Sequence, residues 1–170
     1  KKHFEIVSMN VLSLRKHYVD LLRRFENRNV NVINFQETWL EPNTDASKYS
    51  IGDMIPHLNS MGRGKGLATY VGEGFILRGE FICEEQCQLI KVSNEDIEIV
   101  NVYRSQECNT RVFQDKLQYV VDTSRPTIVC GDTNIDISRD RGRGFVEFME
   151  NLGLTQMVTQ SSHARGGLLD

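Results

Sequence analysis

The chain lacks a long apolar run. None of its 170 residues sit in a stretch approaching the roughly 20 apolar residues a membrane-spanning helix needs, so no membrane contact is expected. The opening Lys1-Lys2-His3-Phe4 has neither an initiator methionine nor the apolar core of a secretion signal, and the sequence reads as an excised or trimmed domain. An excess of positive charge is also missing. With a net charge of −3, any grip on a polyanion must come from a local basic patch or a bound cation. Cysteine is sparse: Cys83, Cys87, Cys108 and Cys130. Only the first two are closely spaced, and neither of the others has a second Cys or a His beside it. Zinc is therefore disfavoured, and the four read as thiols in a reducing compartment, with Cys130 a small hydrophobe inside an apolar run. There is no repeat, low-complexity tract or interdomain linker, and the length suits one domain with one core.

What is present is an alternation of short apolar runs with amphipathic stretches. Phe4 to Met9 and Val30 to Phe35 read as strands flanking a helix over Arg15 to Arg28, whose Tyr18, Leu21, Leu22 and Phe25 fall on one stripe. The stretch from Glu41 to Gly66, with its prolines and glycines, reads as irregular loop. Leu67 to Val71 and Phe75 to Leu77 read as a hairpin about Gly72-Glu73-Gly74, and Cys87 to Val92 with Ile97 to Tyr103 as a second one. Thr110 is placed to cap a helix from Arg111 to Val121. Thr127 to Cys130 then reads as a strand, and Gly144 to Leu152 as a helix closed by Gly153 at C′. Met157-Val158-Thr159 and Leu168-Leu169 read as short strands. Hairpins mixed with crossover helices predict an α/β sandwich: two mixed sheets face to face, with helices outside.

Polar groups stand just past four of these runs. Asn10 ends the first, Glu37 follows the second, Tyr103 closes the run from Ile97, and Asp132 and Asn134 follow Cys130-Gly131. If the runs are buried strands, these groups meet at one rim. In extended backbone Asp132 and Asn134 point the same way. Two carboxylates, an amide carbonyl and water are ligands a hard cation such as Mg²⁺ prefers. Hydrolysis of a phosphodiester needs charge neutralised on the phosphoryl oxygens and an oriented, partly deprotonated water. A cation and Asp132 suit those tasks, and Tyr103 is able to donate to the same phosphate. Singly, each residue reads as a turn or surface group; the joint occurrence carries the weight.

Two basic loops accompany the set: Arg63 with Lys65, and Arg139, Arg141 and Arg143. They read either as grips on DNA backbone phosphates or as solvated charges, the second group offset by Asp136 and Asp140. Gly62-Arg63-Gly64-Lys65-Gly66 lacks the ending of a nucleotide P-loop. Trp39, the sole tryptophan, reads as packing beneath the following loop, with base stacking the alternative. His163 reads as a surface histidine.

In order, Ser8-Met9-Asn10-Val11, Phe35-Gln36-Glu37-Thr38, Asn101-Val102-Tyr103 and Cys130-Gly131-Asp132-Thr133-Asn134 resemble the motifs of the endonuclease/exonuclease/phosphatase family, which includes deoxyribonuclease I and the apurinic endonucleases. Gly166-Gly167-Leu168-Leu169-Asp170 resembles that family's late strand. Trp39-Leu40 after Glu37-Thr38, and the segment Ser161 to Asp170, look most like endonuclease domains of mobile elements, of the non-LTR retrotransposon or helicase-linked transposon type. The resemblance implies a four-layer sandwich. It also implies Mg²⁺ (or Mn²⁺) as cofactor, Glu37 as main metal ligand with Asn10 beside it, and Asp132 orienting the attacking water. Asn134 and Tyr103 would touch the scissile phosphate, and Asp170 would support the site. The implied partner is DNA, nicked to leave a 3′-hydroxyl, in a polyprotein that also carries a reverse transcriptase or helicase and works in the nucleus. The oligomeric state is left open.

Two departures stand out. Leu12 replaces the acid of the apurinic-repair branch, and the family's closing Ser-Asp-His is absent. The latter implies that the chain is truncated short of its last strand or strands. It also leaves open a catalytically inactive scaffold that binds nucleic acid or protein. A phosphatase or phosphodiesterase acting on a small phosphorylated molecule shares the same core chemistry.

Overall fold

The computed structural model describes residues 3–83 and 86–160, without the side chain of Arg141. Asp170, His163 and the stretch of Leu168-Leu169 lie outside the described residues. The strands are β1 (Ile6–Asn10), β2 (Val32–Gln36), β3 (His57–Asn59), β4 (Leu67–Val71), β5 (Ile76–Cys83), β6 (Cys87–Ser93), β7 (Glu98–Arg104) and β8 (Thr127–Asp132). The helices are α1 (Leu14–Phe25), α2 (Thr110–Val120) and α3 (Arg143–Asn151). Among the described residues, no helix is long and apolar enough to cross a membrane.

The strands form two mixed sheets, ordered β1-β2-β4-β3 and β5-β6-β7-β8. In the first, β1 and β2 are parallel; in the second, β7 and β8 are. Period-two alternation assigns each residue a layer. On β2, Ile33 and Phe35 pack outward with Leu14, Leu21 and Phe25 of α1, while Val32 faces the other sheet. On β7, Val100 and Val102 meet Phe113, Leu117 and Val120 of α2, while Ile99 and Tyr103 face inward. Phe145, Phe148 and Met149 of α3 join that outer layer. The result is the expected order of helix, sheet, sheet and helix.

The centre of the sandwich is partly polar. Buried Gln36 donates to Asn101 Oδ1 at 2.7 Å and to Ser8 Oγ at 3.1 Å; Asn101 in turn donates to Thr69 Oγ1, which donates to Asn34 Oδ1. An unpaired amide here costs about 1–3 kcal/mol, so this network penalises any slip of one sheet over the other.

Several expectations are corrected. Leu67–Val71 and the strand from Ile76 are not hairpin partners: β4 pairs with β2 and β3, and β5 with β6. The Gly72–Phe75 segment carries the chain from one sheet to the other. The Glu41 to Gly66 stretch is not wholly irregular, since it holds β3 and a 3₁₀ turn at Ala46–Tyr49. Asn109, not Thr110, caps α2, accepting from the Arg111 amide. No strand forms at Met157-Val158-Thr159. Cys83 and Cys87 are not separate thiols: they are cross-strand partners joined by a disulfide. Cys130 is only half-buried, and its sulfur accepts from Asn34 Nδ2.

Candidate active site

Both parallel pairs end at the same rim. In register, Asn10 lies beside Gln36 and Tyr103 beside Asp132. The alternation that turns Ile6 and Ser8 toward the opposite sheet turns Asn10 inward as well. On the other sheet it does the same for Tyr103 and Asp132. Gly131 makes the second pair possible. It has φ +139°, and a Cβ there would collide with the Val102 carbonyl, so only glycine lets β8 lie so close to β7 immediately before Asp132.

Asn10 Nδ2 donates to Glu37 Oε1 at 2.8 Å and to Asp132 Oδ2 at 3.0 Å. One amide thus bridges carboxylates from two sheets. Its orientation is set from behind, because Asn10 Oδ1 accepts from the Leu12 amide at 3.1 Å. Asn10 therefore presents N–H groups to the carboxylates, where the residue chemistry suggested a carbonyl ligand. Asp132 Oδ1 accepts from the Asn134 amide at 3.0 Å. Asn134 Nδ2 donates to the Arg104 carbonyl at 2.7 Å, which aims the side-chain amide along the rim.

Tyr103 faces the carboxylates. Burial first, then the charges of Glu37 and Asp132, push its phenol up to about 12. Its hydroxyl donates to the Gly64 carbonyl at 2.9 Å, so in this state it holds the Gly62 to Gly66 loop.

The backbone around the rim is strained. Of six non-glycine residues with positive φ among the described residues, five flank the site: Leu12, Ser13, Glu37, Trp39 and Asn134. Such conformations cost on the order of 1–3 kcal/mol each and persist where surroundings over-determine them. Here Ser13 N donates to Glu37 O, Thr38 N to Gly66 O, and Trp39 N to Lys65 O, clamping the segment on both sides.

The basic residues are dispersed. Arg63 is exposed and stands 5.8 Å from the centre of the Trp39 ring. Arg139 pairs with Asp136 and Arg143 with Asp140, while both side chains stay largely in solvent. Lys65 lies in the loop that Tyr103 holds.

Two contributors escape a sequence reading. Arg104 is buried and, among the described residues, has no carboxylate partner in its hydrogen bonds; it donates to the carbonyls of Thr133, Asn134 and Cys108 and to Thr110 Oγ1. It braces the loop that carries Asp132 and Asn134. Trp39 Nε1 donates to Glu37 Oε2 at 3.2 Å. The only sequence signal for either was adjacency, Arg104 to Tyr103 and Trp39 to Glu37-Thr38.

Beside the rim opens a cleft of about 1050 Å³, lined by Asn10, Glu37, Asp132 and Asn134 at one end and by Met149 and Met157 at the other. Among the described residues no three His, Cys, Asp or Glu side chains cluster to cage a metal. Two facing carboxylates separated by a neutral amide still fit Mg²⁺, which keeps several waters and takes only one or two protein carboxylates. The pair of like charges is what a divalent cation would relieve.

No protein-family model matches the chain, and no curated protein is found similar to it. Solved structures are similar. An AP endonuclease from Archaeoglobus fulgidus superposes with a TM-score of 0.71 over 96% of this chain and 79% of that one, at 16% identity. The endonuclease domain of TRAS1, a telomere-specific non-LTR retrotransposon, gives 0.64 over 96% and 80%, at 14% identity. An endonuclease/exonuclease/phosphatase family protein from Leptotrichia buccalis gives 0.55 over 89% and 73%, at 18% identity. The chain has the endonuclease/exonuclease/phosphatase fold.

Proposed function

We propose that the chain is a Mg²⁺-dependent DNA endonuclease that nicks one strand and leaves a 3′-hydroxyl. The observation that carries this reading is the convergence of Glu37 and Asp132, 95 residues apart by their numbering, on the single amide of Asn10. Bound at Glu37, Mg²⁺ would neutralise charge on the scissile phosphate. Asp132, at the inner face of the rim, accepts a proton from the attacking water. Oxygen from that water bonds to phosphorus, the bond from phosphorus to O3′ breaks, and O3′ leaves, taking a proton from solvent water to become the 3′-hydroxyl, while Asp132 returns its proton to solvent. Asn10 keeps the two carboxylates in register, and the second N–H of the Asn134 side-chain amide would be available to a phosphate oxygen.

DNA as substrate is supported by exposed Arg63 on the loop that Tyr103 holds, and by the nucleases among solved structures of this fold. A place in a mobile-element polyprotein, beside a reverse transcriptase or helicase and acting in the nucleus, is supported by the TRAS1 likeness and by the Phe35 to Leu40 segment.

Supercoiled plasmid incubated with the chain tests the reading. With Mg²⁺, relaxed circles should accumulate, and their nicks should prime a DNA polymerase directly. EDTA, Glu37→Gln and Asp132→Asn should each abolish nicking. Phosphate release from inositol phosphates with no nicking would assign the site to small phosphorylated molecules. DNA binding without any hydrolysis would make the chain a scaffold.

A further inference from the structure

Glu37 is held at both oxygens, and by different elements. Oε1 accepts from Asn10 on β1; Oε2 accepts from the indole of Trp39, two residues along its own segment. Trp39 is itself anchored. Its backbone N–H donates to Lys65 O at 2.9 Å, and the Arg63 guanidinium lies 5.8 Å from its ring centre. Glu37 and Trp39 both sit at positive φ, 52° and 57°. A bulky aromatic in that region is a backbone outlier, retained where surrounding contacts over-determine it. Packing alone does not require this arrangement, because Trp39 is half-exposed while Thr38 and Leu40 on either side are buried.

We propose that Trp39 is a positioning residue: its indole N–H, on a ring beside Arg63 and a backbone fixed to the Lys65 carbonyl, holds the Glu37 carboxylate in the orientation that captures a divalent cation. The inference rests on the metal reading given above for Glu37. A glutamate has rotamer freedom that must be lost on binding a metal, and an outer hydrogen bond removes part of that loss beforehand. Partners of this kind typically change metal affinity about 10- to 100-fold. The Gly62 to Gly66 loop enters the same chain of contacts. Tyr103 holds it at Gly64, and Lys65 and Arg63 hold Trp39, so the basic loop and the metal carboxylate share one support.

The test is Mn²⁺ binding, followed by loss of the free-ion electron paramagnetic resonance signal. Because Trp39 is the only tryptophan, its emission provides a second readout in the native chain. Three substituted chains are compared: Glu37→Gln, Trp39→Phe, and Trp39 replaced by benzothienylalanine, which keeps the ring shape and has sulfur in place of N–H. The native chain should bind Mn²⁺ with a matching shift in emission, and Glu37→Gln should lose both. Trp39→Phe and the benzothienyl chain should each weaken Mn²⁺ about tenfold or more, with an unfolding midpoint in EDTA close to native for the isostere. Native affinity in the benzothienyl chain overturns the role of the N–H, whatever Trp39→Phe does. Absence of Mn²⁺ binding by the native chain, or equal binding by Glu37→Gln, overturns the metal reading itself.

Discussion

Asn10 and Asp132 are separated by 122 residues and belong to different sheets, yet a 3.0 Å hydrogen bond joins Asn10 Nδ2 to Asp132 Oδ2. The same nitrogen reaches Glu37 at 2.8 Å. One neutral side chain thereby sets the spacing of two acids that would otherwise repel. Asn10→Ala should cost activity at least as much as it costs fold stability. Each hydrogen bond to a charged group is worth roughly 1.5–3 kcal/mol, so nicking should fall on the order of 10²-fold. Asn10→Asp, which places a third acid there, should lower it further at low Mg²⁺ and recover in part as Mg²⁺ is raised. Plasmid nicking rates across a Mg²⁺ series would check both, and an Asn10→Asp rate equal to native would refute the bridging role.

Gly131→Ala is expected to be severe although no functional group changes. The added Cβ meets the Val102 carbonyl, and φ there is +139°. Either β8 moves away from β7 or the backbone rearranges beside Asp132. A loss of about 3 kcal/mol or more in urea unfolding is expected, which belongs to the strained-backbone class of large effects. Gly64→Ala, where a Cβ meets nothing within 4 Å, should cost less despite its φ of +77°.

Tyr103 predicts an alkaline limb. Burial and two neighbouring carboxylates raise its phenol from 10.0 to about 12. The folded state favours the protonated phenol, so its contribution is complete below about pH 10. It declines as pH rises toward 12, because the unfolded chain ionises first. The span corresponds to roughly 2–3 kcal/mol. Tyr70 is raised as well by its burial, so the comparison must be between native and Tyr103→Phe. Chemical unfolding in steps above pH 9 or so should show a shallower alkaline decline for Tyr103→Phe. Identical slopes would remove Tyr103 from the account.

The Cys83–Cys87 disulfide closes a very short loop at the end of the β5–β6 hairpin. In denaturant without reductant, alkylation should label Cys108 and Cys130 alone; after reduction all four cysteines should react, as mass spectrometry would read. Chain-entropy arguments give a bridge over so few residues about 2 kcal/mol, so Cys83→Ser with Cys87→Ser should lower the unfolding midpoint modestly. Four labelled cysteines before reduction would contradict the bridge.

How much was legible beforehand follows from which interactions are local. Alternation in Phe4 to Met9 and Ile97 to Tyr103, the helix stripes, and the hairpin of Cys87 to Val92 with Ile97 to Tyr103 depend on neighbours within a few residues, and their elements form where expected. Gly153 closes α3 with φ +76°, its amide donating to Glu150 O and the Leu154 amide to Met149 O. The Gly72-Glu73-Gly74 turn misled because a flexible turn does not say whether its strands pair. β4 gains more by inserting between β2 and β3, where Ala68 and Tyr70 join the layer under α1 and Leu67 joins the interior. The two close cysteines misled for a related reason: their spacing is neutral until the hairpin register sets them opposite each other.

The amino-acid sequence by itself determined most of the elements and the candidate rim residues, because strand periodicity and turn chemistry are written in adjacent positions. Only the tertiary structure decided what those residues do to one another. It turned the Asn10 amide so that Leu12 takes its oxygen and two acids take its nitrogen. It also gave the Tyr103 hydroxyl to Gly64 and brought the Trp39 indole onto Glu37. Hydrogen-bond direction is settled by whichever donors and acceptors the packed sheets bring within about 3 Å, and that pairing is a property of the assembled sandwich rather than of any one segment.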